Sequence, residues 1–148
     1  MYQLAKLFHV AAAIVWMGGM FFMLWALRPV AATQLHPPAR APFMAAVLGR
    51  FFLAVWISIS VLLVTGGVML GATGMKAAPI GQHVMLGIGL LMFALFGHIY
   101  FGPYRRLGKA VASLDWPAAG AQMGKIQPFV VANFILGWVA IGAVILIG

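Results

Sequence analysis

Four histidines are the side chains of this chain best suited to chemistry, and His9 stands out among them. It sits in the run Lys6-Leu7-Phe8-His9, seven residues before Trp16-Met17-Gly18-Gly19, inside the first apolar stretch. An ionisable residue at membrane depth is costly, which makes it a functional-site candidate by default. His83 opens a later apolar stretch, His98 closes it, and His36 lies in a proline-rich segment. Neutral imidazole ligates copper, iron and zinc, and thioether sulfur adds a preference for Cu(I). The chain has ten methionines, with Met17, Met20 and Met23 together in the first stretch. Asp115 is the only acid and there is no cysteine. Paired-carboxylate chemistry, disulfides, thiolate metal sites and cysteine-ligated iron–sulfur clusters are therefore excluded.

Positioning these groups falls to apolar helices. The 148 residues are 65% hydrophobic and 7% charged, far from the half-apolar, quarter-charged balance of a soluble domain. This is the composition of an integral membrane protein in contact with the lipid bilayer. The +8 net charge does not indicate nucleic acid, because the basic residues gather at the ends of apolar spans. Four segments, about 5–28, 50–72, 80–102 and 126–147, are long enough to cross ~30 Å of hydrocarbon. With no water in the bilayer core, such segments are helices. The expectation is an all-α fold: one domain over 1–148, a four-transmembrane-helix bundle running up-down-up-down. The Leu7–Leu27 run, at about 21 residues, exceeds the usual signal-peptide core of ~7–15 and reads as a retained span.

Prolines punctuate the pattern. His36-Pro37-Pro38 and Pro42 are expected to break the chain between the first two spans, Gly74 to Pro79 to form a short connection, and Pro103 to end the third span. Asp115-Trp116-Pro117 has the form of a helix start, with Asp as cap and Pro in the first turn. Residues 117–125 are expected to form a short interfacial helix. Arg28, Arg40, Arg50, Arg105, Arg106, Lys109 and Lys125 fall on one side, and Lys6 and Lys76 on the other. The positive-inside rule places the larger group in the cytoplasm and both termini outside, in a cell inner membrane.

Helical periodicity groups His9, Ala13, Trp16, Met20 and Met23 on one face of the first span. On the third it groups His83, Gly87, Leu90, Ala94, Gly97, His98 and Phe101, with the two histidines about 22 Å apart. His9 and His83 are expected at matching depth near the outer surface. That predicts an outer polar station around Lys6, His9, His83, Met69 and Met75, and an inner one around His98. The outer station could hold copper through His9, His83, Met20, Met69 and Met75. Alternatively, His9 with His83 or His98 could clamp the iron of a haem b from both axial sides. A third reading is a structural subunit, its methionines serving packing and its glycines close helix contact.

Several short motifs carry a resemblance. His9-x6-Trp16-Met17-Gly18-Gly19, Leu27-Arg28-Pro29-Val30-Ala31, Arg50-Phe51, Thr65-Gly66 and Asn133-Phe134-Ile135-Leu136-Gly137 resemble the copper resistance protein D domain, a four-helix inner-membrane module. The resemblance implies copper handling at or across the membrane, often beside a periplasmic copper-binding partner. Lys6-x-x-His9-x6-Trp16-Met17-x-Gly19 is also similar to the first helix of the membrane-bound protoporphyrinogen oxidase family. That likeness implies b-type haem and electron exchange with quinone or a partner, as a haem-dependent oxidoreductase. The chain departs from that pattern with Met85 and Leu86 where a Lys is expected, and with Asn133 where an acid is expected. The glycine-rich faces would also suit a homo-oligomer.

Overall fold

The computed structural model describes residues 1–148. It contains four long helices, α1 (Tyr2–Gln34), α2 (Pro37–Thr73), α3 (Ile80–Ala112) and α4 (Trp116–Ile147), each apolar enough to cross a membrane. There is no strand. The chain is an all-helical, multi-pass membrane protein.

The helices run further than the apolar segments alone suggest. At 1.5 Å per residue, 32 to 37 residues extend about 48–55 Å, well beyond ~30 Å of hydrocarbon. The chain breaks at His36-Pro37 and at Gly74–Pro79 as expected, but Pro42 and Pro103 are absorbed into helices. Only Leu35 and His36 separate α1 from α2, and Pro37 begins α2, at a position where no N–H is needed. Pro42 lies inside α2. Pro103 does not end α3 but sits in a wide π turn, Tyr100–Tyr104, after which the helix continues. A second π turn, Met23–Leu27, precedes Pro29, and the Arg28 N–H bonds back to the Met23 carbonyl. A proline ring clashes with the carbonyl four residues earlier, and one widened turn relieves that clash without ending the helix.

Genuine ends have specific causes. α2 stops at Gly74, whose φ of 85° lies in the left-handed region and whose N–H bonds to the Leu70 carbonyl at 2.7 Å. A side chain would be strained there. α4 starts at Asp115, whose carboxylate accepts from the Ala118 N–H at 3.1 Å. Such a cap stabilises a helix by about 1 kcal/mol. Residues 117–125 belong to α4 itself rather than to a separate interfacial helix.

Neighbouring helices run antiparallel. His9 near the start of α1 bonds Thr65 near the end of α2, and Gly19 lies against the Phe51 ring. Asn133 of α4 bonds the Met92 carbonyl of α3, and Arg106 bonds Gln122 at 3.0 Å. Met17 packs on Gly137, and the rings of Phe21 and Phe134 lie 6.4 Å apart, which joins α1 to α4. The half of the bundle toward the first connection is filled by aromatics. Phe52, only 1% exposed, meets Phe96 at 5.2 Å and Tyr104 at 5.0 Å, and Trp56 meets Phe96 at 4.9 Å. Each such edge-to-face pair adds about 0.5–1.5 kcal/mol beyond burial. The outer faces expose Leu7, Phe8, Ile14, Val15 and Phe21, as lipid contact requires.

Gly19 and Gly18 form a controlled pair. A methyl on Gly19 collides with the Phe51 ring, whereas one on Gly18 meets nothing within 4 Å. Gly19→Ala is expected to destabilise the bundle by about 1–3 kcal/mol through overpacking. Gly18→Ala should be neutral or stabilise by up to about 1 kcal/mol through helix propensity. Unfolding of both variants in detergent checks this. Equal stability of the two would refute the close α1–α2 approach.

Candidate functional site

The half of the bundle nearer the chain termini is hollow. Its cavity, about 440 Å³, is bordered by all four helices. The opening comes from small residues: Ala13, Gly66, Gly89 and Ala140 contribute little more than backbone to its wall. Tyr2, Lys6 and Gln82 supply polar groups, and His9 is the one imidazole. Four methionines, Met17, Met69, Met85 and Met92, share the wall with it.

His9 is held in a defined way. Its Nδ1 lies 2.8 Å from the Thr65 hydroxyl oxygen, and that hydroxyl lies 2.6 Å from the Val61 carbonyl. A threonine hydroxyl has one proton, and a carbonyl can only accept. The Thr65 proton therefore goes to Val61, and the Thr65 oxygen accepts from His9 Nδ1–H. Neutral His9 is thus the Nδ1–H tautomer, with the lone pair on Nε2. This is the arrangement in which a second partner orients a metal-ligating imidazole. Gly66 completes the seat, since a methyl there would stand 3.5 Å from His9 Cε1.

The sequence-predicted residues separate into two groups. His9, half-buried, and Met69 line the cavity. Met20, 2% exposed, is buried one turn beyond Met17 rather than in the cavity wall. His83 is exposed and does not line the cavity, and Met75 is 51% exposed in the α2–α3 connection. His98 is exposed, its ring 4.8 Å from Phe129. On the α3 face predicted to be functional, His83, Gly87, Ala94 and Phe101 are exposed and only Leu90 borders the cavity, whereas Met92, Phe96 and Ile99 are buried. The expected outer station of paired histidines is therefore not assembled: α3 is rotated so that its methionines, not its histidines, share the cavity wall with His9. A bis-histidine haem does not fit, because neither second histidine reaches the cavity.

No three His, Cys, Asp or Glu side chains come together anywhere in the chain. A metal in the cavity would rest on one imidazole and neutral thioethers. From the sequence, Thr65 stands out only in the Thr65-Gly66 motif and Met85 only as a departure from the oxidase pattern; Met92 does not stand out, and none of the three is read there as a ligand or as the partner of His9. Met85 and Met92, seven residues apart with Gly89 between, share a helical face, and that was the available signal. Nothing local announces Thr65 as the partner of His9, 56 residues away.

One buried polar atom beside the cavity stands alone. Asn133 is 1% exposed and donates through Nδ2 to the Met92 carbonyl at 3.2 Å, but its Oδ1 has no partner. A buried acceptor left unpaired costs on the order of 1–3 kcal/mol.

A family model described as copper resistance protein D matches residues 45–147, more than half of the chain. The match takes in Thr65, Met69, Met85, Met92 and Asn133, and begins after α1. No curated protein and no solved structure matches.

The tautomer assignment is directly measurable. In ¹⁵N spectra of histidine-labelled protein in detergent, neutral His9 is expected to show a protonated Nδ1 and an unprotonated Nε2. Thr65→Val, which keeps the shape and removes the acceptor, should return His9 to a mixture of both tautomers. A wild-type ring protonated at Nε2 would refute the assignment.

Proposed function

From the premise that the chain belongs to the copper resistance protein D family, we propose that it handles Cu(I) at the cell inner membrane. His9 Nε2 and the cavity methionines are the ligands in this reading. The observation that carries it is the coincidence of a tautomer-fixed imidazole with four thioethers in one cavity.

The chemistry of this donor set favours Cu(I). Thioether sulfur is a soft ligand that suits Cu(I), whereas zinc is bound by anionic thiolates, carboxylates and several imidazoles. No anionic side chain lines the cavity, so a bound ion keeps its full charge. The cost of desolvating an ion rises as the square of its charge, so a divalent ion costs about fourfold more than a monovalent one. Met69, proposed from sequence, remains in the ligand set, and Met17, Met85 and Met92 replace His83, Met20 and Met75. Of the proposed ligands only His9 can be expected to bind strongly by itself, and the thioethers add softness and selectivity.

The positive-inside bias orients the cavity to the outer side. Arg28, Arg105, Arg106, Lys109 and Lys125 belong to the other end, and Lys6 stands at the cavity end. A copper-binding protein of the periplasm is then the natural donor or acceptor, because the cavity can exchange Cu(I) with it without the ion entering bulk water.

The test is Cu(I) binding by the full chain in detergent, in competition with a chromogenic chelator under a reductant. His9→Ala should weaken binding at the cavity by at least tenfold. Met69→Leu and Met85→Leu, which conserve volume, should each weaken it several-fold, and Zn(II) should not compete. Unchanged Cu(I) affinity in a folded His9→Ala protein would overturn the reading.

A further inference from the structure

The first helix carries methionines at 17, 20 and 23, and the structure places them in three different surroundings. Met17 lines the histidine cavity. Met20 is buried in the packed core at 2% exposure. Met23 lines a second, small cavity of about 30 Å³ on the far side, enough for one water-sized guest. Met44 from α2 and Met123 from α4 line that cavity as well, with Arg28 and Gln127. Met23 is 7% exposed and Met44 3%. Three methionines from three helices thus border one space the size of a single ion.

The fourth helix repeats the order. Gly137 borders the histidine cavity and Val130 the small one, and Asn133 lies between them. The packing of Met17 on Gly137 and of Phe21 against Phe134 puts Met20 and Asn133 at one level. The wall between the two cavities therefore contains a buried thioether and the buried Oδ1 that no protein group satisfies. Successive methionines three residues apart rise about 4.5 Å and are neighbours on the helix surface.

We infer that Met23, Met44 and Met123 form a second Cu(I) site, joined to the histidine cavity through Met20 and the free Oδ1 of Asn133. This rests on the copper reading of the histidine cavity. Transfer needs no redox change: one Cu–S bond forms as another breaks, and the ion stays Cu(I) throughout. The small site is the weaker of the two. It lacks an imidazole, and the Arg28 guanidinium, which lies 3.4 Å from the Met123 carbonyl, repels a cation. Weak binding suits a site from which an ion must leave.

Titration of the full chain with Cu(I) against a chelator is expected to show two ions, the second held at least tenfold more weakly. The Met44→Leu/Met123→Leu double variant should retain only the tighter ion, and His9→Ala should retain the weaker one. Thermal unfolding of each variant confirms the fold. If the wild type binds no Cu(I), the copper reading and this inference both fall. If it binds one ion that is lost in His9→Ala and unaffected in the double variant, the copper reading stands and the second site is overturned. Two ions that survive the double variant overturn it equally. The connection is tested in proteoliposomes with chelator enclosed: Met20→Leu should bind both ions yet slow uptake at least tenfold. Uptake at the wild-type rate, or none by the wild type, would overturn the connection.

Discussion

The bilayer offers no water to a backbone N–H or C=O, and the architecture follows from that constraint. Each exposed pair would cost several kcal/mol in hydrocarbon, so the chain closes its hydrogen bonds within helices and leaves few residues outside them. The same constraint explains why Pro103 and Pro29 sit at π turns rather than at helix ends. A broken helix would release a set of backbone groups, and a widened turn releases far fewer. Four long helices result, and the interior between them is then decided by side-chain size.

That division by size produces two unlike halves. Phe52, Trp56, Phe96 and Tyr104 interlock in one half. In the other, alanine and glycine on all four helices leave a cavity. Trp16 marks the boundary. It borders the cavity, stacks on Phe93 at 5.9 Å and meets Phe96 edge-on at 6.4 Å. The polar content of the hollow half is small and fully specified at its centre: the Thr65 hydroxyl gives its proton to its own helix and its oxygen to His9. Had the partner been a carboxylate, a buried charge would have come with it, at several kcal/mol of desolvation. A hydroxyl orients the imidazole without that cost.

Much of this was legible in the sequence, and the remainder was hidden for a physical reason. The number of helices followed from apolar length, the start of α4 from Asp115 and Pro117, and the inward face of α1 from the line Trp16, Met20 and Met23. Which face of α3 turns inward was not legible. In a soluble protein the apolar side is the inside, but here the lipid-facing and core-facing sides are both apolar, and periodicity cannot tell them apart. Taking the polar residues to mark the interior put His83 and His98 inside. The structure instead turns Met85 and Met92 inward. Pro42 and Pro103 misled in a related way, because the rule that prolines end helices belongs to chains for which water can satisfy the released carbonyls.

On the copper reading proposed above, methionine in place of charged ligands follows the same economy. A bare monovalent ion moved into a medium of low dielectric loses on the order of 20 kcal/mol of solvation, far more than the 5–15 kcal/mol that holds a typical domain folded. An open water path would avoid that loss, but Trp16, Met20 and Phe96 fill the level at which such a path would run. Carboxylates would offset it, at the cost of burying their own charge whenever the ion is absent. Thioethers avoid both difficulties. Without a metal they pack as ordinary apolar side chains, as the buried Met20, Met23 and Met44 do, and with Cu(I) they coordinate through polarizable sulfur. A core that is stable empty and can still accommodate a soft cation is therefore better built from methionine than from any ionisable residue, and on the copper reading His9 is needed only where the ion first leaves its donor.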